Sequence, residues 1–98
     1  MDLQNLNIKQ NLQYQMFFVK VMEGNAYLKY KMPSAHLIEF YETYVPPSSR
    51  NRGIGRELVK FGIDYARKNN LEILPRCPFF KKVLKQNPDN KAILHDYN

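Results

Sequence analysis

The chain has 98 residues, enough for one domain with one modest core, since single domains commonly run about 100–150 residues. Its composition, 44% hydrophobic and 13% aromatic, excludes a disordered polar segment, and a single cysteine excludes an internal disulfide. The net charge of +6 favours an anionic partner without choosing among nucleic acid, an acidic protein and a phosphorylated small molecule.

Residues 1–12 read as a polar lead-in whose Asn and Gln content does not suit a signal peptide. Gln15–Val21 then alternates as a strand, with Phe17, Val19 and Val21 on one face and Met16, Phe18 and Lys20 on the other. Glu23-Gly24-Asn25 signals a turn, and Ala26–Met32 alternates again, setting Ala26, Leu28, Tyr30 and Met32 opposite Tyr27, Lys29 and Lys31. After Pro33-Ser34 a longer strand, His36–Val45, ends at Pro46-Pro47, because proline donates no ladder hydrogen bond. From Gly53 to about Asn69 the period changes to that of a helix, with Ile54, Leu58, Phe61, Gly62, Tyr65 and Ala66 on one stripe. Asn69-Asn70 supplies a left-handed stop, Leu71–Leu74 a short strand, and Pro78 through Gln86 a second helix opened by proline. Lys91–Asn98 shows no clear pattern.

The order β-β-β-α-β-α predicts an α/β fold of the α+β kind. It is a mixed sheet in which an antiparallel meander feeds a right-handed βαβ crossover and a C-terminal helix follows. Residues 13–94 make the domain and 95–98 a tail. No apolar run approaches the ~18 residues of a membrane span. The lone cysteine suits a reducing compartment, so a cytoplasmic, membrane-free protein is expected.

Arg50-Asn51-Arg52-Gly53-Ile54-Gly55 joins a strand end to a helix start. The first amides of a helix have no internal partner and the helix dipole adds positive potential, so a diphosphate fits there. Gly53 and Gly55 allow close approach to the main chain, and Arg50, Arg52 and Arg56 add charge. A P-loop needs Gly-Lys-Ser/Thr at its end, which is absent, and Leu58 stands where a dinucleotide fingerprint needs its third glycine.

What remains, Arg-x-x-Gly-x-Gly, resembles the acetyl-coenzyme A loop of the GNAT superfamily of N-acetyltransferases. Together with Glu42-Thr43-Tyr44-Val45-Pro46-Pro47 and Leu71 through Phe79, it resembles the minimal single-domain branch of that superfamily over roughly residues 14–94. The resemblance implies that Val45, Arg50, Asn51, Arg52, Gly53, Ile54, Gly55, Arg56 and Cys77 contact acetyl-CoA, that the sheet opens where the third and fourth predicted strands splay, and that acetyl passes directly to an amine. Cys77 would lie beside the thioester, at an N-cap position where a helix terminus and Arg76 favour thiolate. Glu42 is the carboxylate available as a base. Where the minimal branch commonly reads His-Thr-x-Val-Pro this chain has Glu42, and Val83 stands where a tyrosine is common. Those departures support a second reading, a non-catalytic acyl-CoA-binding or regulatory module. A nucleic-acid-binding domain would need basic and aromatic residues on one face, of which Tyr27, Lys29 and Lys31 offer a thin version. His36 and His95 show no partner and no metal-ligand spacing. A monomer or weak homodimer is expected.

Overall fold

A computed structural model describes residues 6–95. Lead-in residues 1–5 and tail residues 96–98 lie outside the described residues. The elements are β1 (Lys9–Asn11), β2 (Met16–Val21), β3 (Gly24–Ser34), β4 (Leu37–Tyr44), α1 (Ile54–Lys68), β5 (Glu72–Pro75) and α2 (Pro78–Lys85), with 3-10 turns at Pro47–Ser49 and Pro88–Ile93. The strands form one sheet in chain order, antiparallel through β4 and parallel between β4 and β5.

Alternation decides the hairpin. Phe17, Val19 and Val21 of β2 and Ala26, Leu28 and Tyr30 of β3 are buried, and Val21 pairs with Gly24 across a turn where φ is 134°, a conformation side chains resist. Met32 departs from the expected face and is 37% exposed. β3 runs on past the start of β2, and its pairing with β4 shifts register between Lys31 and Ser34. The lead-in also contains a strand, β1, which has no apolar pattern of its own. It is held by the edge of β2, and Gln10 Nε2 donates to Tyr30 Oη at 2.8 Å.

α1 crosses back over the sheet with Ile54, Leu58, Val59, Gly62, Ile63 and Ala66 buried. The buried stripe is turned from the expected one because α1 packs on α2 as well as on the sheet. Val59 and Ile63 are therefore covered, while Phe61 sits at the margin, 38% exposed, its ring 5.2 Å from that of Phe17. Asn70, at φ 56°, ends the helix as expected. Phe80 of α2 stacks on Phe40 at 4.4 Å, and Gly62 lies against the same Phe40 ring, so both helices lie on one face of the sheet. The patternless stretch closes the domain: Asn90 Nδ2 donates to Leu84 O at 2.8 Å, and Leu94 bridges to Ile73 in parallel. No helix among the described residues is long and apolar enough to cross a membrane.

Burial raises the Tyr30 phenol above its ordinary value, and burial together with the Glu42 carboxylate raises that of Tyr27. A phenol with a higher pKa in the folded chain contributes stability that is complete below about pH 10 and is lost as pH rises through the folded value. Urea titrations from pH 8 to 11 are expected to show stability falling more steeply in the natural chain than in Tyr27→Phe/Tyr30→Phe. Equal slopes would contradict this.

Candidate functional site

β4 carries an irregularity that decides which side chains reach the site. Tyr30 pairs with Phe40 and Lys29 with Glu42, so Tyr41 is one extra residue on β4. Such a bulge reverses the alternation beyond it. Thr43, opposite Leu28, therefore shares the helix-covered face, while Glu42, opposite Lys29, is turned to the other.

The sheet divides at the same level. β4 and β5 pair only from Leu37↔Glu72 to Phe40↔Pro75. Proline has no N–H with which to continue, and Arg76 N and Cys77 N both turn to Phe40 O, at 2.9 and 3.1 Å. Beyond Phe40, β4 has no partner strand on that side among the described residues. Across the division, Cys77 Sγ lies 3.4 Å from Thr43 Oγ1.

A cavity of about 430 Å³ adjoins this division, walled by Thr43, Tyr44 and Val45 of the β4 end, the loop into α1, and Phe79 of α2. The loop that walls it turns sharply into α1. Asn51 and Gly53 both take left-handed φ, 64° and 82°, and turn the loop into the helix. The first ladder bond of α1 runs from Glu57 N to Gly53 O at 3.0 Å, which leaves the amides of residues 53–56 without partners inside the helix. Gly55 is needed for a different reason: a Cβ there would lie 3.1 Å from Phe79 Cε2.

Val45, Arg50, Asn51, Gly53, Ile54, Gly55 and Arg56 all line the cavity, with Ser49 beside them. Arg52 is exposed and does not line it. Two of the arginines also brace the walls. Arg50 Nε donates to Val45 O at 2.8 Å with its guanidinium 6.0 Å from the centre of the Tyr44 ring, and Arg56 donates to Gln86 Oε1 at the end of α2.

The two catalytic candidates lie off the cavity, on opposite faces of the division. Cys77 occupies the N-cap position of α2, but its side chain makes no cap bond; it is 6% exposed and belongs to the core. Glu42, on the helix-free face, accepts from Tyr27 Oη at 2.9 Å. His95 has a partner after all, its Nδ1 lying 2.9 Å from Glu72 Oε1. Among the described residues no His, Cys, Asp and Glu group could hold a metal ion.

Thr43, Ser49 and Phe79, with Tyr44, are the lining residues outside the expected cofactor-contact set. A bulge at Tyr41 leaves no mark in hydrophobic alternation, so Thr43 could not be assigned a face. Phe79 reads as packing, yet consecutive residues of a helix point 100° apart. Phe80 takes the sheet side, and Phe79 is 41% exposed at the cavity rim. Ser49, buried at 5%, carries no sequence signal beyond its place after two prolines.

Comparison with known proteins identifies the family and the fold. Residues 16–93 match the family model for the GCN5-related N-acetyl-transferase. The chain is 26% identical over 85 residues to protein NATD1 of Mus musculus, a match covering 85% of this chain and 77% of that protein. It is 30% identical over 63 residues to protein NATD1 of Homo sapiens, covering 64% of this chain and 56% of that one. The chain thus spans little more than half of the human relative's length. Among solved structures, the NMR structure of a GCN5-like protein from Staphylococcus aureus superimposes with a TM-score of 0.73 at 26% identity, over 98% of this chain and 94% of that one.

Proposed function

The chain belongs to the GCN5-related N-acetyl-transferase family, and from that premise we propose that it binds acetyl-CoA in the cavity between the β4 end and α1 and transfers the acetyl group to an amine. The observation that carries this reading is the coincidence of three features in one place: a divided sheet, a cavity against the division, and the first residues of α1 lining that cavity. Free amides at a helix N-terminus suit a diphosphate. Gly53 and Gly55 keep side chains out of its path, and Arg50, Asn51, Ile54 and Arg56 complete the cradle. Arg52, exposed beside it, adds long-range charge only.

Acetyl-CoA supplies the activated acetyl group as a thioester. Val45 lies where the cavity meets the free edge of β4, and Arg50 holds its carbonyl, so the last peptide of that edge is kept in one orientation. Glu42 takes a proton from the attacking amine on the helix-free face. Thr43 lines the cavity and Cys77 backs it from the core, so the pair would support the acetyl end of the cofactor from across the division. Its lone thiol goes with a reducing, cytoplasmic setting.

The test is thiol release from acetyl-CoA in the presence of a panel of amines. Amine-dependent release is expected, and Glu42→Gln should lower the turnover rate about 100-fold or more while leaving acetyl-CoA affinity within about twofold. One observation favours the alternative, a non-catalytic acyl-CoA-binding module: Glu42 is engaged by the Tyr27 hydroxyl and Cys77 is packed in the core. Tight acetyl-CoA binding with no release against any amine would decide for it.

A further inference from the structure

The helix-free face of the sheet is where this chain carries its charge in order. Among the described residues no helix covers it, since α1 and α2 both pack on the other side. Register places Lys9 of β1, Lys20 of β2, and Lys29 and Lys31 of β3 on this face, with the aromatic row Phe18–Tyr27–Tyr44 crossing it. Its carboxylates on β4 and β5 are Glu39, which Arg76 meets at 3.9 Å, Glu72, which His95 meets at 2.9 Å, and Glu42. The face is therefore basic over β1–β3, and where the sheet divides Glu42 is its carboxylate without an ion pair among the described residues. Lys29 stands opposite Glu42 and Lys31 opposite Glu39, but no salt bridge among the described residues involves any of the four lysines. Two are held in place by ring faces, with Lys29 Nζ 5.2 Å from the centre of the Tyr27 ring and Lys31 Nζ 4.9 Å from that of Tyr41.

We propose that the acceptor amine is carried by an acidic polypeptide that docks across this face, with its ammonium group at Glu42 and its carboxylates over the lysines of β1–β3. The proposal rests on the acetyl-transfer reading and names its acceptor class. The helix side of the division carries the acetyl-CoA cavity between the β4 end, α1 and α2, so the amine enters from the bare side, where Glu42 stands without an ion pair among the described residues. Strands lie ~4.8 Å apart, which puts β3 to β1 roughly 5–15 Å from β4. An extended peptide advances about 3.4 Å per residue. The acidic side chains should then stand about two to four positions from the amine-bearing residue.

Phosphates of a nucleic acid would also suit the lysines, but the rest of the face does not suit its bases. Base stacking needs an open ring face. Tyr27 and Tyr44 stack on each other at 5.3 Å, while Lys29 and Lys31 lie over Tyr27 and Tyr41. Glu42 at the division would repel phosphates where the chemistry happens.

The experiment uses NMR titration of the whole chain saturated with CoA. The ligands are three peptides, each with one free lysine amine and Glu, Gln or Arg at the positions two to four residues away. The Glu peptide is expected to bind about tenfold more tightly than the Gln peptide, the Arg peptide more weakly than either, and the difference should shrink at high salt. Its shifts should fall on residues 18–20 and 27–31, away from those moved by CoA. In Lys20→Glu/Lys31→Glu the order of the Glu and Arg peptides should reverse, with CoA affinity unchanged as the sign of an intact fold. Equal binding of all three peptides, an unchanged order in the variant, or a single-stranded RNA displacing the Glu peptide from this face would each overturn the proposal. Failure of CoA itself to bind would instead overturn the acetyl-transfer reading, and the peptide order can be measured without CoA.

Discussion

Gly62→Leu is expected to destabilise the domain by about 3 kcal/mol or more and to lower the melting temperature by roughly 15 °C. A Cβ at this position would lie 2.9 Å from Leu28 Cδ2 and 3.0 Å from Phe40 Cζ. Neither neighbour is free to yield, because both are fully buried and Phe40 is stacked on Phe80. Gly62→Ala should cost less, since a helix gains up to ~1 kcal/mol from alanine in place of glycine and offsets part of the clash. The consequence reaches function. Gly62 lets α1 lie close on β3 and β4, and this closeness sets where the start of α1 stands relative to the divided sheet. Thermal melts of the two variants give the check; a leucine variant melting within a few degrees of the natural chain would show that α1 is not so tightly seated.

Gly53→Val is expected to weaken acetyl-CoA binding by roughly 10- to 100-fold, which corresponds to about 1.4–2.8 kcal/mol. Gly53 sits at φ 82°, a region that β-branched side chains avoid at a cost of about 1–3 kcal/mol. Substitution would rebuild the turn that presents the amides of residues 53–56, and would set two methyl groups over them. Gly55→Val separates room from conformation: its φ is not left-handed, but its Cβ would press on the Phe79 ring and narrow the cavity. Arg52→Ala, exposed and outside the cavity lining, should change affinity by about threefold or less. Calorimetry on the three variants distinguishes them. A Gly53→Val protein that binds as the natural chain does would remove the loop from the site.

Much of the fold was legible because it follows from period and punctuation. The alternation of Phe17–Val21 and Ala26–Tyr30, the prolines at 46–47 and the helical spacing from Ile54 to Ala66 each answer to local geometry. The glycine loop was legible for the same reason, being a strand end, two glycines and a helix start in series. What escaped depends on contacts between distant segments. Lys9–Asn11 becomes a strand only because β2 offers it an edge, and the α1 stripe turns only because α2 comes to lie beside it. The bulge at Tyr41 is the costliest omission, because it exchanges the faces of Glu42 and Thr43 and so decides which of them meets the cavity. Cys77 was rightly placed at the start of α2, but the direction of its thiol, toward Thr43 rather than the helix amides, depends on where β5 leaves β4.

The central claim is that the loop into α1 holds the diphosphate of acetyl-CoA, and the most direct test is the amide NMR spectrum of the natural chain titrated with that ligand. Saturable shifts concentrated at Arg50 to Glu57, with lesser ones at Thr43, Val45 and Phe79, are expected. Signals of residues 50–57 that stay unmoved at millimolar acetyl-CoA would contradict it.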